Sequence, residues 1–178
     1  DTIPHGIQEV DLNGTITYAN PAHAKIYGCQ AGDLVGQAMF DLAAGDGERR
    51  KLKEHFAFII DRQPRPSPWF SKEQTRDGRT IDTQVDWNYK RDVQGRITGL
   101  IMVIYDITYR KQAEKALLDN LQFMTTLIDT IPNPVFYKDA DGKFLGCNIA
   151  YAKTLGMTKE HILGRRLIDV KSTISSDM

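Results

Sequence analysis

At 178 residues, 41% of them hydrophobic, the chain has the length of one domain or of one and part of another, with enough apolar side chains to bury a core. Lysine plus arginine total 23 and aspartate plus glutamate 23, so no basic excess argues for nucleic acid or an anionic lipid surface as partner. The apolar runs are too short to cross a bilayer and no signal peptide is recognisable, which suits a cytoplasmic module without membrane contacts of its own, although its parent protein can be membrane-attached.

In chain order, Gly6 to Asp11 and Thr15 to Asn20 are β-rich runs flanking Asn13-Gly14, a hairpin signal in which both central residues tolerate positive φ. Asn20-Pro21 then reads as a helix start, with Asn as cap and Pro at the first helical position, and Gly28 as the stop. Short helical turns are predicted around Ala31 to Val35 and Ala38 to Leu42. Asp46 to Arg62 is the clearest helix, with Leu52, Phe56, Ile59 and Ile60 on one face, and prolines 64, 66 and 68 end it.

The period then changes to two. Trp69 to Thr75 predicts a strand, Asp77-Gly78 a turn, and Thr80 to Lys90 a long strand with Ile81, Thr83, Val85, Trp87 and Tyr89 on its dry face. Gln94-Gly95 turns the chain into Arg96 to Ile107, where 100–105 are apolar on both faces and predict a central strand covered on both sides. Two strands, helices, then three strands make an α+β fold, an antiparallel sheet with helices on one face.

Beyond it, Leu117, Leu121, Met124, Ile128 and Ile131 recur at alternating steps of four and three, an a/d seam on one helix face. The seam begins downstream of Arg110 and Glu114 and spans about two heptads, short of a coiled coil convincing on sequence alone. After it the sequence repeats. Residues 129–170 lie over 1–42 without a gap at a constant offset of 128, and Asp129 to Pro132 match Asp1 to Pro4. Asp139, Gly142, Asn148, Gly156, Gly164 and Asp169 match Asp11, Gly14, Asn20, Gly28, Gly36 and Asp41. Such matches fall on turns and caps, where backbone geometry restricts residue choice. The second copy lacks counterparts of the long helix and the last three strands. Residues 129–178 are therefore expected to be poorly ordered or to lean on a partner chain.

These features together resemble a PAS domain over residues 1–108, a signalling helix over 109–128 and the N-terminal part of a second PAS domain over 129–178. The resemblance is carried by NGTITYAN-P, Asp77-Gly78, Gln94-Gly95 before LIMVIYDIT, and Asp106-Ile107-Thr108 followed by Arg110 to Glu114. It implies a five-stranded sheet of order 2-1-5-4-3, a pocket between sheet and helices, and homodimerisation through flanking helices. Strand parity places Thr83, Val85, Trp87 and Tyr89 toward the helices. Similarity to flavin-binding relatives places Leu100, Met102 and Ile104 there too, with Phe56, Ile59 and Ile60 as the cover; a plain core explains the same pattern. Asp106 and Thr108, the latter as helix N-cap, would relay a signal into a dimer helix carrying Leu117, Leu121, Met124 and Ile128.

The cofactor is left unknown, and none at all is one expectation. Neither Cys29 nor Cys147 fits the reactive-cysteine motif of light-sensing flavin relatives, and neither a disulfide nor a zinc site is expected from two thiols in different copies. His55 lies about one turn beyond the haem ligand of haem-binding relatives, and the long helix lacks the tryptophans of FAD-binding ones. His5, His23 and His161 form no cluster and read as surface residues. No nucleophile–base pair, phosphate loop or metal spacing marks catalysis in this chain. Three functions stay open: a sensory module with a possible small-molecule ligand, a ligand-free structural dimerisation module, or a haem or flavin redox or gas sensor. The output domain, a histidine kinase or next a diguanylate cyclase, would lie outside the chain.

Overall fold

The structure, a computed structural model, describes residues 5–170, so the Asp1 to Pro4 motif and everything after Val170 lie outside the described residues. The chain divides into two compact units, Asp1–Gln112 and Ala113–Met178.

In the first unit, β1 (Gly6–Asp11) and β2 (Ile16–Ala19) form a hairpin, followed by α1 (Pro21–Tyr27), α2 (Ala31–Leu34), a 3-10 turn (Met39–Leu42) and α3 (Asp46–Arg62). Strands β3 (Trp69–Gln74), β4 (Thr80–Arg91) and β5 (Ile97–Asp106) complete an antiparallel sheet of order β2-β1-β5-β4-β3. Helix α1 has both of its caps supplied locally. The Asn20 side chain accepts from His23 N–H, Pro21 stands where no N–H donor is needed, and Gly28 adopts the left-handed conformation (φ 68°) that ends α1.

The hairpin turn differs from the expected pair of positive-φ residues. Gly14 alone is left-handed (φ 80°), and the Asp11 carboxylate accepts from the N–H groups of Asn13 (2.9 Å) and Thr15 (2.8 Å). The geometry is a turn closed from Asp11 and relaxed at glycine, which an Asx side chain stabilises better than two strained residues would. The same backbone pattern closes the turns at Gly78 (from Thr75), Gly95 (from Asp92) and Gly142 (from Asp139).

The core lies between the helices and the inner sheet face, and centres on Val10, Ile16, Phe40, Phe56, Trp87, Leu100, Met102 and Ile104. The outer face is open, contrary to the expectation of a strand covered on both sides. Ile101 is 38% exposed, and Val103 and Tyr105 are half-buried. Helices α1 to α3 pack on the other side, and the outer neighbours of β5 are polar: Gln84, Asp86 and Asn88 stand opposite Tyr105, Val103 and Ile101. Close approach explains one residue of β5. A Cβ on Gly99 would stand 1.9 Å from the Val10 carbonyl oxygen, so only glycine lets β1 and β5 pair there.

α4 (Thr108–Thr130) leaves the sheet and runs 23 residues, about 35 Å, with no buried side chain. In the second unit, β6 (Phe136–Lys138) and β7 (Phe144–Cys147) pair, and α5 (Ile149–Leu155) and α6 (Lys159–Ile162) follow. Phe144, Cys147, Tyr151, Ala152, Ile162 and Val170 form its small core. Asn148 bonds in this unit as Asn20 does in the first. Its Oδ1 accepts from Val135 and Tyr151 N–H, the residues 128 beyond Ile7 and His23, whose N–H groups Asn20 accepts.

Candidate functional site

Two features of the first unit stand out: a cavity inside the core, and the junction of the sheet with α4.

The cavity lies between α3 and the inner face of the sheet and has a volume of about 30 Å³. Of the side chains expected there, Phe56, Ile59, Val85, Trp87, Met102 and Ile104 line it. Four others stand elsewhere. Thr83 turns its hydroxyl to Glu73 Oε1 (3.1 Å), and Leu100 is fully buried in the core. Tyr89 lies edge-on to Trp87 and donates to the Pro64 carbonyl (2.7 Å), while Ile60 is half-buried beside the core.

Polar side chains that the hydrophobic pattern did not single out also line the wall: Gln8, Tyr27, His55 and Glu73, with Trp69. Glu73 is 6% exposed and accepts hydrogen bonds from the hydroxyls of Tyr27, Ser71 and Thr83. Burial pushes its carboxyl up to about 7, against the pull of the Thr83 hydroxyl. Parity alone could have found it. Ser71, Glu73 and Thr75 share the inner face of β3, but all three are polar, so no dry stripe announces them.

His23 corrects a surface assignment: it is 0% exposed, edge-on to Tyr27 with ring centroids 4.9 Å apart. Proline at the start of α1 and the Asn20 cap fix the helix so that position 23 faces the core. Burial lowers its imidazole to about 4, and neither ring nitrogen has a hydrogen-bond partner among the described residues. The lining residues carry further unpartnered buried atoms, namely Gln8 Oε1, His55 Nε2, Trp69 Nε1 and Trp87 Nε1. These four atoms gather round one cavity. His55 lies flat on Trp69, with centroids 3.9 Å apart and planes within 15°. A cavity this small is about a tenth of the roughly 300 Å³ at the lower end for a drug-sized ligand.

At the junction, the Asp106 carboxylate accepts from Thr108 N–H (2.9 Å), satisfying one free donor at the start of α4. Thr108 is the first helical residue. Its hydroxyl accepts from Asp82 N–H on β4 (2.8 Å), and Ile107 N–H donates to the Asp82 carbonyl (2.9 Å). The Asp82 carboxylate receives Lys111 Nζ of α4 (2.9 Å) and Lys72 Nζ of β3 (3.1 Å), which hold it below the usual carboxylate range. Beyond the junction, Leu117, Leu121 and Met124 are 60%, 57% and 50% exposed, and Ile128 is half-buried. Among the described residues no group of His, Cys, Asp and Glu is arranged to hold a metal ion, and no helix is long and apolar enough to cross a membrane.

Sheet order, one-sided helical cover and an internal cavity define this as an α+β cavity domain with an exit helix. The chain belongs to the PAS fold family, whose model matches residues 1–107 and 122–177. It is 41% identical over 71 residues to the virulence sensor protein BvgS of Bordetella pertussis, which covers 40% of this chain and 6% of that protein. It is 26% identical over 147 residues to a nitrogen fixation regulatory protein of Klebsiella pneumoniae (82% of this chain, 29% of that protein). Over 116 residues it is 33% identical to the C4-dicarboxylate transport sensor protein DctS of Rhodobacter capsulatus (65% and 18%). The chain thus spans less than a third of the length of each of these relatives. Among solved structures, an RNA-binding light-oxygen-voltage receptor superposes with a TM-score of 0.55 at 20% identity, covering 67% of this chain and 34% of that one. A sensory box histidine kinase/response regulator from Burkholderia thailandensis gives 0.52 at 18% identity, covering 68% and 90%. These likenesses are of fold.

Proposed function

We propose that this chain is the sensory and dimerisation module of a bacterial signal-transduction protein, passing the state of its cavity through α4 to an output domain elsewhere. The observation that carries the reading is the junction. Asp82 of β4 is bonded through its N–H, its carbonyl and its carboxylate to Thr108, Ile107 and Lys111 at the start of α4. β4 also brings Val85 and Trp87 to the cavity, so a change in packing there moves the strand that holds the helix. Relatives named as sensors, and a sporulation kinase of Bacillus subtilis 24% identical over 119 residues, support a sensor histidine kinase as the parent, with a diguanylate cyclase next.

In this reading α4 pairs in parallel with the same helix of a second chain, along Leu117, Leu121, Met124 and Ile128. An apolar seam left wholly in water is costly, and a partner helix removes that cost. Residues 129–178 are the first part of a second PAS domain, supported by the constant offset and by the shared bonding of Asn20 and Asn148. Signalling then consists of two helix registers or crossing angles, stabilised differently by the two states of the cavity.

The test is association. Leu121→Asp with Ile128→Asp is expected to weaken dimers at least tenfold in sedimentation, with the tryptophan fluorescence of the first unit unchanged. Equal association of variant and parent would remove the helix from the mechanism. The second reading, a ligand-free structural module, is favoured by the small size of the cavity.

A further inference from the structure

Resting on the reading of the cavity as the sensing site, the polar atoms of its wall say what kind of molecule it takes. Gln8 and Trp87 are 5% and 6% exposed, and each carries a side-chain atom without a partner: the Gln8 Oε1 acceptor and the Trp87 N–H donor. Both stand on one rung of the sheet, since Met102 of β5 is opposite Gln8 on one side and Trp87 on the other. Their backbones are therefore about 10 Å apart, two strand spacings. Trp69, with a second unpartnered N–H, stands opposite Val85 on the adjacent strand and so adds a donor at the indole end. Along this rung the wall thus carries an acceptor at one end and donors at the other, with Met102 between them, while Tyr27, His55 and Glu73 line it elsewhere.

Charge narrows the class. No lysine or arginine lines the cavity, while Glu73 does, so an anionic guest would meet a buried carboxyl with no cation to offset it. Size narrows it further. The gap between the two ends is filled by Met102, whose sulfur accepts a hydrogen bond from Gln8 Nε2 (3.2 Å). A thioether is a weak acceptor on a flexible side chain, so this bond yields readily and the chain can swing aside.

We infer that the cavity binds a small neutral molecule of one ring, with a donor at one end for the Gln8 carbonyl oxygen and an acceptor at the other for the indole N–H of Trp87, Met102 moving to admit it. Carboxylates and phosphorylated cofactors are excluded by the same wall.

The chain reports on its own occupancy, because its two tryptophans both line the cavity and give two indole N–H resonances. The ¹⁵N-labelled full chain is titrated with 4-pyridone, which carries N–H and C=O at opposite ends of one ring. Toluene serves as the apolar counterpart and succinate as the anionic one. A saturable shift of the Trp87 indole resonance is expected with 4-pyridone, and none with succinate. Gln8→Leu is expected to weaken 4-pyridone about tenfold, the loss of one neutral hydrogen bond, while leaving toluene no weaker. Trp87→Phe, read at Trp69, should weaken 4-pyridone by a similar factor and also assigns the resonance. Undiminished affinity in both variants, a saturable shift by succinate, or no saturable shift with 4-pyridone because water alone fills the cavity would each overturn the inference. Sedimentation of the same samples separates the two readings. Binding that leaves dimerisation unchanged supports the ligand class while counting against the relay.

Discussion

Two buried ionisable residues set opposite pH dependences within one contact chain. His23 lies against Tyr27, and Tyr27 donates to Glu73. The folded protein holds a proton on Glu73 up to about pH 7, whereas the free carboxyl releases it near 4.5. Its contribution is therefore present below pH 4.5 and lost as pH rises to about 7. His23 is the reverse: the unfolded chain takes up a proton near 6.5 that the folded one resists down to about 4, so stability is lost as pH falls through that window. Between the two free values the slopes oppose and largely cancel, giving a flat profile. Glu73→Gln should uncover the histidine slope, with stability rising by about 3 kcal/mol from pH 4 to 6.5. His23→Phe should uncover the carboxyl slope, falling by about 3 kcal/mol from pH 4.5 to 7. Urea midpoints followed by tryptophan fluorescence, which reports the first unit alone, check both. A variant that stays flat would show that its partner titrates at its ordinary value.

At the scale of elements, α3 was legible from its 3.6-residue stripe to its ends, Asp46 and Arg62, because prolines forbid continuation. The long strand β4 was legible from alternation, and the sheet order through the family resemblance. What hydrophobic pattern does not show is a polar residue pointing inward. Gln8, Glu73 and His23 sit at core positions whose neighbours in sequence give no dry stripe, so only tertiary packing makes them interior. The start of α4 shows the same limit. Asp106 and Thr108 are both good cap types, and tertiary contacts divide their roles: the Asp106 carboxylate accepts from Thr108 N–H, while the Thr108 hydroxyl accepts from Asp82 N–H. Thr108→Val should therefore leave that N–H unpaired and destabilise the first unit by about 1–3 kcal/mol, with Thr108→Ser restoring most of it. Faster amide exchange at Asp82 in the valine variant alone is the accompanying sign. Equal stability of all three would mean the hydroxyl bond adds nothing. Gly99→Ala should cost more than either, since its Cβ would meet the Val10 carbonyl and part β1 from β5.

Among the described residues, α4 is bonded to other elements near each end. Lys111 meets Asp82 at the start, and near the finish Asn148 Nδ2 donates to the carbonyls of Ile128 (3.3 Å) and Ile131 (3.0 Å). Lys159 pairs with Asp129 beside them. Between these anchors no side chain of the helix is buried. The number of residues between the anchors then acts as a phase. Seven added residues return the helix to within about 20° of its original facing, whereas two swing everything downstream by about 200°. Inserting seven residues after Leu121 should preserve association of the chain in sedimentation, and inserting two should turn Met124 and Ile128 away from the face of Leu117 and Leu121 and weaken it. For a rod of this kind, chain length is read modulo a helical repeat, and a sequence can drift in composition along α4 far more freely than it can drift in count.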